Sequence, residues 1–157
     1  MSDTPDFLAE RLRHEGEKTT AFFLGLSPDV WEQVVYAEGR PWTVRQVLAH
    51  FVSVEGELFR LVENIAGNGS GAPENFNIDA FNQREVAALE AVPPPSLIER
   101  FQAYRQRTAD WTARLSPADL EKQGRHPFVG LAPLAEIIRL IYRHNQIHQR
   151  DIRKLLA

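Results

Sequence analysis

The residues best suited to chemistry are two histidines, His144 and His148, in the last segment of the sequence. The residues around them have the period of an amphipathic helix, in which positions four apart share one face, ~5–6 Å apart at Cβ. At ~100° per residue, both histidines fall near the middle of the apolar side, and Asp151 falls at its edge. This spacing lets one nitrogen of each ring reach the same zinc-like ion at ~2.0–2.1 Å.

Two neutral imidazoles on an apolar face need partners for their ring nitrogens. Each polar group left unsatisfied by burial costs ~1–3 kcal/mol, and a metal ion removes that cost for one nitrogen of each ring. The alternative is a pair of core histidines that are satisfied by hydrogen bonds. The spacing of His144 and His148 leaves both interpretations open.

A metal site needs a third ligand, and the sequence offers three further histidines. His14 falls on the polar side of the first predicted helix, which favours an exposed side chain. His126 precedes Pro127 in a predicted loop, which favours a solvated side chain. His50 lies at the border of the apolar stripe of the second predicted helix, so position favours His50 as the third ligand.

Two carboxylates are rival ligands. Glu57 is seven residues from His50, ~10 Å along a helix axis, so the two cannot easily share one ion, and a solvated or salt-bridged side chain is favoured. Asp151 lies one turn beyond His148. We expect it to act as a second-shell acceptor, with a two-histidine, one-carboxylate site as the alternative.

Helical periodicity and capping signals predict the elements that carry these residues. Thr43 with Gln46 and Ser96 with Glu99 have the spacing of capping boxes, and Asp79 has that of an N-cap. The predicted helices run from near Thr4 to Leu26, from Thr43 to Ala66, from Asp79 to Ala91, from Ser96 to Leu115 and from near Pro133 almost to Ala157.

The connecting segments show no alternation typical of strands. Gly39–Arg40–Pro41 predicts a break, residues 67–71 predict a flexible loop, and residues 124–132 predict a loop with Phe128 and Val129 at its tip. Four principal helices and one shorter helix indicate an all-α protein, a four-helix bundle that forms a single domain over residues 1–157.

Composition excludes several kinds of site and partner. The sequence contains no cysteine, so disulfides, zinc–thiolate sites and cysteine nucleophiles are excluded. The net charge of −3 and the absence of a basic stripe predict no nucleic-acid partner. No apolar run reaches the ~18 residues of a spanning helix, and no signal-peptide pattern opens the sequence, so we expect a cytoplasmic protein without a membrane partner.

Three segments together resemble the DinB/YfiT-like superfamily. Residues 42–50 match its W-x-x-x-x-[VL]-L-x-H segment, and residues 144–152 match its H-x-x-x-H followed by D-I. Residues 79–82 resemble the D-x-F-N of its maleylpyruvate-isomerase-like branch. The resemblance implies an up-down-down-up four-helix bundle in which His50, His144 and His148 bind one divalent metal: nickel, zinc, manganese or iron. It also implies a homodimer.

Members of this superfamily with known activity include hydrolases and enzymes that use a low-molecular-weight thiol for isomerisation or transfer. The resemblance therefore implies a metal-dependent enzyme that activates a water molecule, or such a thiol as cosubstrate, against a small electrophile. The alternative is a non-catalytic metal-binding or small-molecule-binding module of a stress response. A helical bundle with buried, metal-free histidines is the third hypothesis.

Overall fold

The structure, a computed structural model, describes residues 3–38 and 41–157. Within these residues the chain forms five α-helices and two short antiparallel β-hairpins. The helices are α1 Pro5–Leu24, α2 Val44–Ala66, α3 Ile78–Ala88, α4 Pro94–Ala113 and α5 Leu134–Leu156. The strands are β1 Val34–Tyr36, β2 Trp42–Thr43, β3 Gln123–His126 and β4 Gly130–Pro133. Gly39 and Arg40, part of the break predicted before α2, lie outside the described residues.

The first two helices begin where the sequence predicts. At α1, the hydroxyl of Thr4 accepts a hydrogen bond from the backbone N–H of Phe7 at 3.1 Å. At α2, Thr43 and Gln46 form the predicted capping box: the Thr43 hydroxyl accepts from the Gln46 N–H at 3.2 Å, and the Gln46 side chain accepts from the Thr43 N–H at 2.9 Å. Each cap satisfies N–H groups that the first turn of a helix leaves unpaired.

The predicted N-cap of α3 was wrong. Asn77 caps the helix, because its side chain accepts a hydrogen bond from the Ala80 N–H at 2.9 Å. Asp79 lies in the first turn instead, where its carboxylate is favourable beside the positive end of the helix. Both positions suit an acidic or amide side chain, so sequence spacing did not separate them.

The predicted start of α4 was also wrong. The helix begins at Pro94, with Pro93 as its N-cap, so Ser96 and Glu99 already lie inside it. Proline fixes φ near the helical value, and the first turn needs no N–H donor, so a proline run can open a helix. Three helix ends come two or three residues earlier than predicted: Leu24 instead of Leu26 in α1, Ala88 instead of Ala91 in α3, and Ala113 instead of Leu115 in α4.

Two hairpins replace segments that were expected to contain no strand. β1 pairs with β2 through Val34–Thr43 and Tyr36–Trp42, with an irregularity between the two pairs. The segment 124–132, expected to be a loop, lies within the regular β3–β4 hairpin. Strands of two to four residues are too short to show the alternation on which strand prediction depends. The apolar tip is as predicted, since 82% of the surface of Phe128 is exposed.

Side-chain contacts give the direction of each helix. Arg11 lies over the ring of Tyr142 and Arg153 lies over that of Phe22, so α1 and α5 run parallel. The Phe51–Phe101 and Phe59–Trp111 ring contacts show that α2 and α4 also run parallel. Arg13 pairs with Asp110, and Gly16, which comes later in α1, lies against Arg105, which comes earlier in α4. The helices α1 and α4 are therefore antiparallel. The four long helices therefore form the predicted up-down-down-up bundle.

The apolar core is divided into two clusters by polar residues. The first cluster, near the β3–β4 hairpin, includes Leu12, Leu58, Ile65, Ala109 and Ile137. The second, near the β1–β2 hairpin, includes Phe23, Val47, Phe51, Phe101 and Ile152. Between them lie Glu55, Arg105 and Asn145, each at most 3% exposed, which we call the polar layer. No described helix is both long and apolar enough to span a membrane.

Arg105 in the polar layer bonds to all three other long helices. Its guanidinium donates two hydrogen bonds of 2.9 Å to the carboxylate of Glu55 on α2. It also donates to the side-chain oxygen of Asn145 on α5, and at 3.3 Å to the backbone carbonyl of Leu12 on α1. A buried charge that is paired and hydrogen-bonded in this way fixes the level at which the helices meet.

Candidate metal centre

Three histidines meet beside the polar layer. His50 comes from the first half of α2, and His144 and His148 come from the middle of α5, on either side of its midpoint. The Nε2 atom of His144 lies 2.9 Å from that of His50 and 3.1 Å from that of His148. One nitrogen from each of the three side chains lies within 4.8 Å of the others.

The two short nitrogen–nitrogen distances match those of ligands to a common ion. For metal–nitrogen distances of ~2.0–2.1 Å, two nitrogens at a right angle about the ion lie ~2.9 Å apart, and two at the tetrahedral angle lie ~3.4 Å apart. The observed 2.9 Å and 3.1 Å fall in this range. The three side chains are therefore placed to bind one ion together, and a four- to six-coordinate ion would keep further positions for other ligands.

Burial keeps the three imidazoles neutral. It lowers the pKa of His50 well below its usual value, with further lowering by the two other histidines. Burial, and then the neighbouring charges of His148 and Arg105, lower the pKa of His144 to about 3. Burial also lowers the pKa of His148, and the nearby Asp151 carboxylate opposes that effect. Neutral imidazole is the form that binds metal ions.

Tyr36, on β1, connects His148 to Asp151. The Tyr36 hydroxyl oxygen lies 2.7 Å from Nδ1 of His148, and the hydroxyl donates a hydrogen bond of 2.6 Å to Oδ2 of Asp151. Asp151 was expected to be a second-shell acceptor. In the structure the hydrogen bonds lead from the imidazole of His148 to the Asp151 carboxylate through the phenol of Tyr36.

Hydrogen bonds among the three rings cannot satisfy the nitrogens that meet here. Nε2 of His144 contacts two other Nε2 atoms, and a neutral imidazole nitrogen carries either one hydrogen or one lone pair. One hydrogen cannot lie along both contacts. In addition, Nδ1 of His50 is buried without a hydrogen-bond partner among the described residues. A cation that accepts three lone pairs suits this arrangement better than hydrogen bonds do.

Aromatic rings surround the three histidines. The ring centroid of Trp42, on β2, lies 4.7 Å from that of His50. The ring of Phe51 lies 5.8 Å from His144 and 5.7 Å from His148. These apolar rings limit access of water around the imidazoles, which strengthens electrostatic interactions at the site.

The other predicted candidates lie elsewhere. His14 is exposed, as predicted, and Glu57 pairs with Arg60 at 3.8 Å. The prediction that His126 is a solvated loop residue was wrong. It is half-buried at the end of β3, and its Nδ1 accepts a hydrogen bond of 3.0 Å from the N–H of Phe128. In a hairpin the turn residues fold back beside the end of the first strand, so their N–H groups lie close to this imidazole. In an open loop they would not.

Sequence reasoning missed two groups of functional interest. Tyr36 gave no signal, because a three-residue strand and a contact across 112 residues leave no pattern. The polar layer did leave a signal in the sequence. Arg105 lies four residues after Phe101, and Glu55 lies four residues after Phe51, so both charges fall on inward faces of their helices. Two opposite charges on facing inner stripes predict a buried pair.

The fold and the site define a four-helix bundle in which three histidines from the second and last helices meet. The chain belongs to the DinB superfamily, whose model matches residues 11–152. This confirms the family resemblance and the fold that it implied. No functionally curated protein matches the chain.

Several solved structures share this fold. YfiT from Bacillus subtilis, described as a probable metal-dependent hydrolase with an unusual four-helix bundle topology, superposes with a TM-score of 0.76 at 17% identity. The superposition covers 96% of this chain and 85% of YfiT. The mycothiol-dependent maleylpyruvate isomerase gives a TM-score of 0.72 at 15% identity, over 94% of this chain and 59% of the isomerase.

A third similar structure is the colibactin self-resistance protein ClbS, solved in complex with double-stranded DNA. Its TM-score is 0.74 at 13% identity, over 100% of this chain and 99% of ClbS. At such identities the three likenesses show a common fold. The activities and ligands of these proteins are not thereby assigned to this chain.

Proposed function

We propose that this protein is a metal-dependent enzyme in which His50, His144 and His148 hold one divalent ion. The ion serves to activate a water molecule for hydrolysis, or a low-molecular-weight thiol for S-transfer or isomerisation, on a small electrophile. The observation that carries the proposal is the meeting of three neutral imidazoles with Nε2 distances of 2.9 Å and 3.1 Å. Hydrogen bonds among them leave at least one of these contacts unsatisfied.

The donor set favours reactive chemistry over a purely structural ion. Three neutral imidazoles leave the charge of a divalent ion uncompensated, and such an ion lowers the pKa of a water or thiol and polarises carbonyl groups. Trp42 and Phe51 keep the surroundings apolar. Since the chain has no cysteine, a thiol has to be a cosubstrate. Imidazole binds nickel, zinc and iron readily and manganese more weakly, so the ligand type alone does not select one of these metals.

Structural relatives support both branches of the proposal. YfiT is described as a probable metal-dependent hydrolase, and the maleylpyruvate isomerase is mycothiol-dependent. The likeness to the isomerase covers 59% of that protein, so its complete machinery is not matched here. We therefore propose the step that hydrolysis and thiol-dependent chemistry have in common, which is activation of a nucleophile by the metal ion, with a small molecule as the substrate.

Metal content tests the site. We expect protein purified without a polyhistidine tag, and loaded with zinc, to hold close to one ion per chain by elemental analysis. His144→Ala should lose that ion, whereas His14→Ala, which removes an exposed histidine that is not part of the three-histidine group, should keep it. Equal zinc content in wild type and His144→Ala would overturn the proposed site.

Activity tests the enzyme. The metal-loaded protein is assayed for thiol consumption with small electrophiles and for hydrolysis of small esters, before and after complete chelation. We expect one of these activities to be present and to disappear on chelation. Activity that survives chelation would contradict a metal-activated nucleophile.

A second candidate function is a non-catalytic metal-binding or small-molecule-binding module. The observation that favours it concerns Asp151, the carboxylate that Tyr36 connects to His148. The hydroxyl of Tyr36 donates to this carboxylate, which leaves it poorly placed as a general base. A protein that binds zinc stoichiometrically and stays inert across thiol and ester substrates supports this module.

We propose that nucleic acid is not the ligand, although ClbS was solved with double-stranded DNA. The net charge of −3 gives little attraction for a polyanion, whose binding depends mainly on Lys and Arg contacts to phosphates. Titration with a fluorescent DNA duplex at low salt tests this point. Saturable binding in the micromolar range would overturn it.

A further inference from the structure

The contact between Tyr36 and His148 constrains where the proton of the imidazole lies. The phenol has one hydrogen, and it is directed to Oδ2 of Asp151 at 2.6 Å. A carboxylate accepts hydrogen bonds and donates none. The Tyr36 oxygen, 2.7 Å from Nδ1 of His148, is therefore left to accept, and the hydrogen of this bond belongs to Nδ1. A neutral imidazole with its hydrogen on Nδ1 carries a lone pair on Nε2.

We propose that Tyr36 is a positioning residue that holds His148 in the Nδ1-protonated form, with the Nε2 lone pair directed at Nε2 of His144. As a statement about metal affinity, this rests on the proposed function. As a statement about the tautomer of His148, it stands without a metal. Asp151 acts on the histidine only through the phenol.

The location of Tyr36 suits this role. β1 precedes α2, and two backbone hydrogen bonds of 3.0 Å tie its neighbourhood to the first turn of α2: Val44 N–H to Gln33 carbonyl and Arg45 N–H to Trp31 carbonyl. The same helix carries His50. Tyr36 thus belongs to a hairpin that is held on α2, and it contacts His148 on α5. It orients a histidine of α5 from a position that is fixed relative to α2.

Nδ1 of His50, unlike that of His148, has no partner among the described residues, so no such contact selects its tautomer. Nδ1 of His148 has a hydrogen-bonded partner, as the second ring nitrogen of a metal-bound histidine usually does. Loss of such a partner typically weakens metal binding by ~10–100-fold.

The tautomer is measured first, in metal-free protein, from the ¹⁵N shifts of the two ring nitrogens of His148. We expect protonated Nδ1 in the wild type. Tyr36→Phe should give a mixture of tautomers. Asp151→Ala should favour protonated Nε2, because the phenol is then free to donate to Nδ1. His148 protonated at Nε2 in the wild type, or an unchanged tautomer in both variants, would overturn the proposal.

Zinc affinity, measured by competition with a chromophoric chelator, gives the second readout. We expect Tyr36→Phe to bind zinc ~10–100-fold more weakly than the wild type. The matched control is Tyr104→Phe, which removes the hydroxyl of another half-buried tyrosine, on α4. Equal zinc affinity in Tyr36→Phe and the wild type would overturn the role in metal binding. If the wild type binds no zinc, the proposed function fails, and the ¹⁵N shifts still decide the tautomer.

Discussion

The Nε2 atoms of His50 and His144 lie 2.9 Å apart, although 94 residues separate the two histidines along the chain. A shift of one residue between their helices would move one ring ~1.5 Å along the axis and ~100° around it. The contact therefore depends on the register of α2 against α5. Arg105 holds this register, because its guanidinium bonds to Glu55 on α2 and to Asn145 on α5.

His50 has the least support from sequence alone, so its contribution to metal binding is tested through stability. An ion that binds only the folded state raises the free energy of unfolding by about 2.7 kcal/mol at 100 times its Kd. We expect zinc to stabilise the wild type and His14→Ala, and to have little effect on His50→Ala, in urea unfolding followed by circular dichroism. Full zinc stabilisation of His50→Ala would contradict a ligand role.

The metal-free protein should lose stability in mild acid. Burial lowers the pKa of His50, His144 and His148, that of His144 to about 3, whereas unfolded histidine titrates near ~6.5. Between these values the unfolded state binds more protons than the folded one. The free energy of unfolding is therefore fully maintained above about pH 6.5 and falls below it, by at most about 1.4 kcal/mol per pH unit for each histidine.

The matched variant for this pH dependence is His144→Gln, which removes one of the buried imidazoles. Urea unfolding of the chelated proteins between about pH 7 and pH 5 gives the slope of stability against pH. The remaining histidines titrate in both proteins, so we expect a shallower slope in the variant. Equal slopes would mean that His144 is protonated as easily in the folded state as in the unfolded state.

The helix face of His144 and His148 made the centre largely predictable, while its surroundings were not. Two histidines one turn apart on an apolar face carry their own geometric signal. His50 needed the family resemblance to stand out from other border positions. Tyr36 depends on where a three-residue strand packs, and that placement follows from tertiary contacts that no local pattern encodes.

The buried pair of Arg105 and Glu55 should behave as a unit. Arg105→Met leaves the Glu55 carboxylate buried without its partner, and we expect a loss of ~3–5 kcal/mol in the free energy of unfolding. Replacing both residues by Met should cost less than the sum of the single losses, since no isolated charge remains. Chemical denaturation of the four proteins of this cycle measures the coupling.

The control for that cycle is Arg100→Met, which removes an exposed arginine from the same helix. We expect a change within about 0.5 kcal/mol. Additive losses for Arg105 and Glu55 would show that the two side chains contribute independently.

Two helical glycines provide a matched pair. A Cβ at Gly16 would lie 2.6 Å from Cγ of Arg105, whereas a Cβ at Gly56 would meet Tyr104 at 3.8 Å, an ordinary contact. We expect Gly16→Ala to lower the free energy of unfolding by ~1–3 kcal/mol, because it displaces the buried arginine. Gly56→Ala should raise it by ~0.5–1 kcal/mol through helix propensity. Thermal and urea unfolding measure both, and a stabilising Gly16→Ala would contradict the packing.

The long helices were predictable because their apolar stripes span many turns. The predicted extent of α2, with its capping box at Thr43 and Gln46, was confirmed because local hydrogen bonds alone decide where it begins. The start of α4 at Pro94 and the hairpins were missed for the opposite reason. At these places the local sequence is compatible with more than one structure, and packing against the bundle selects one of them.

The polar layer also has a consequence for redesign. Because Glu55, Arg105 and Asn145 lie between them, the buried apolar residues that the structure describes form two separate clusters on shared helices, and a volume change in one reaches the other only through the polar layer. Substitutions in the two clusters should combine additively. The half around Ile65 and Ile137 can thus be repacked for heat resistance while the half behind the histidines keeps its shape.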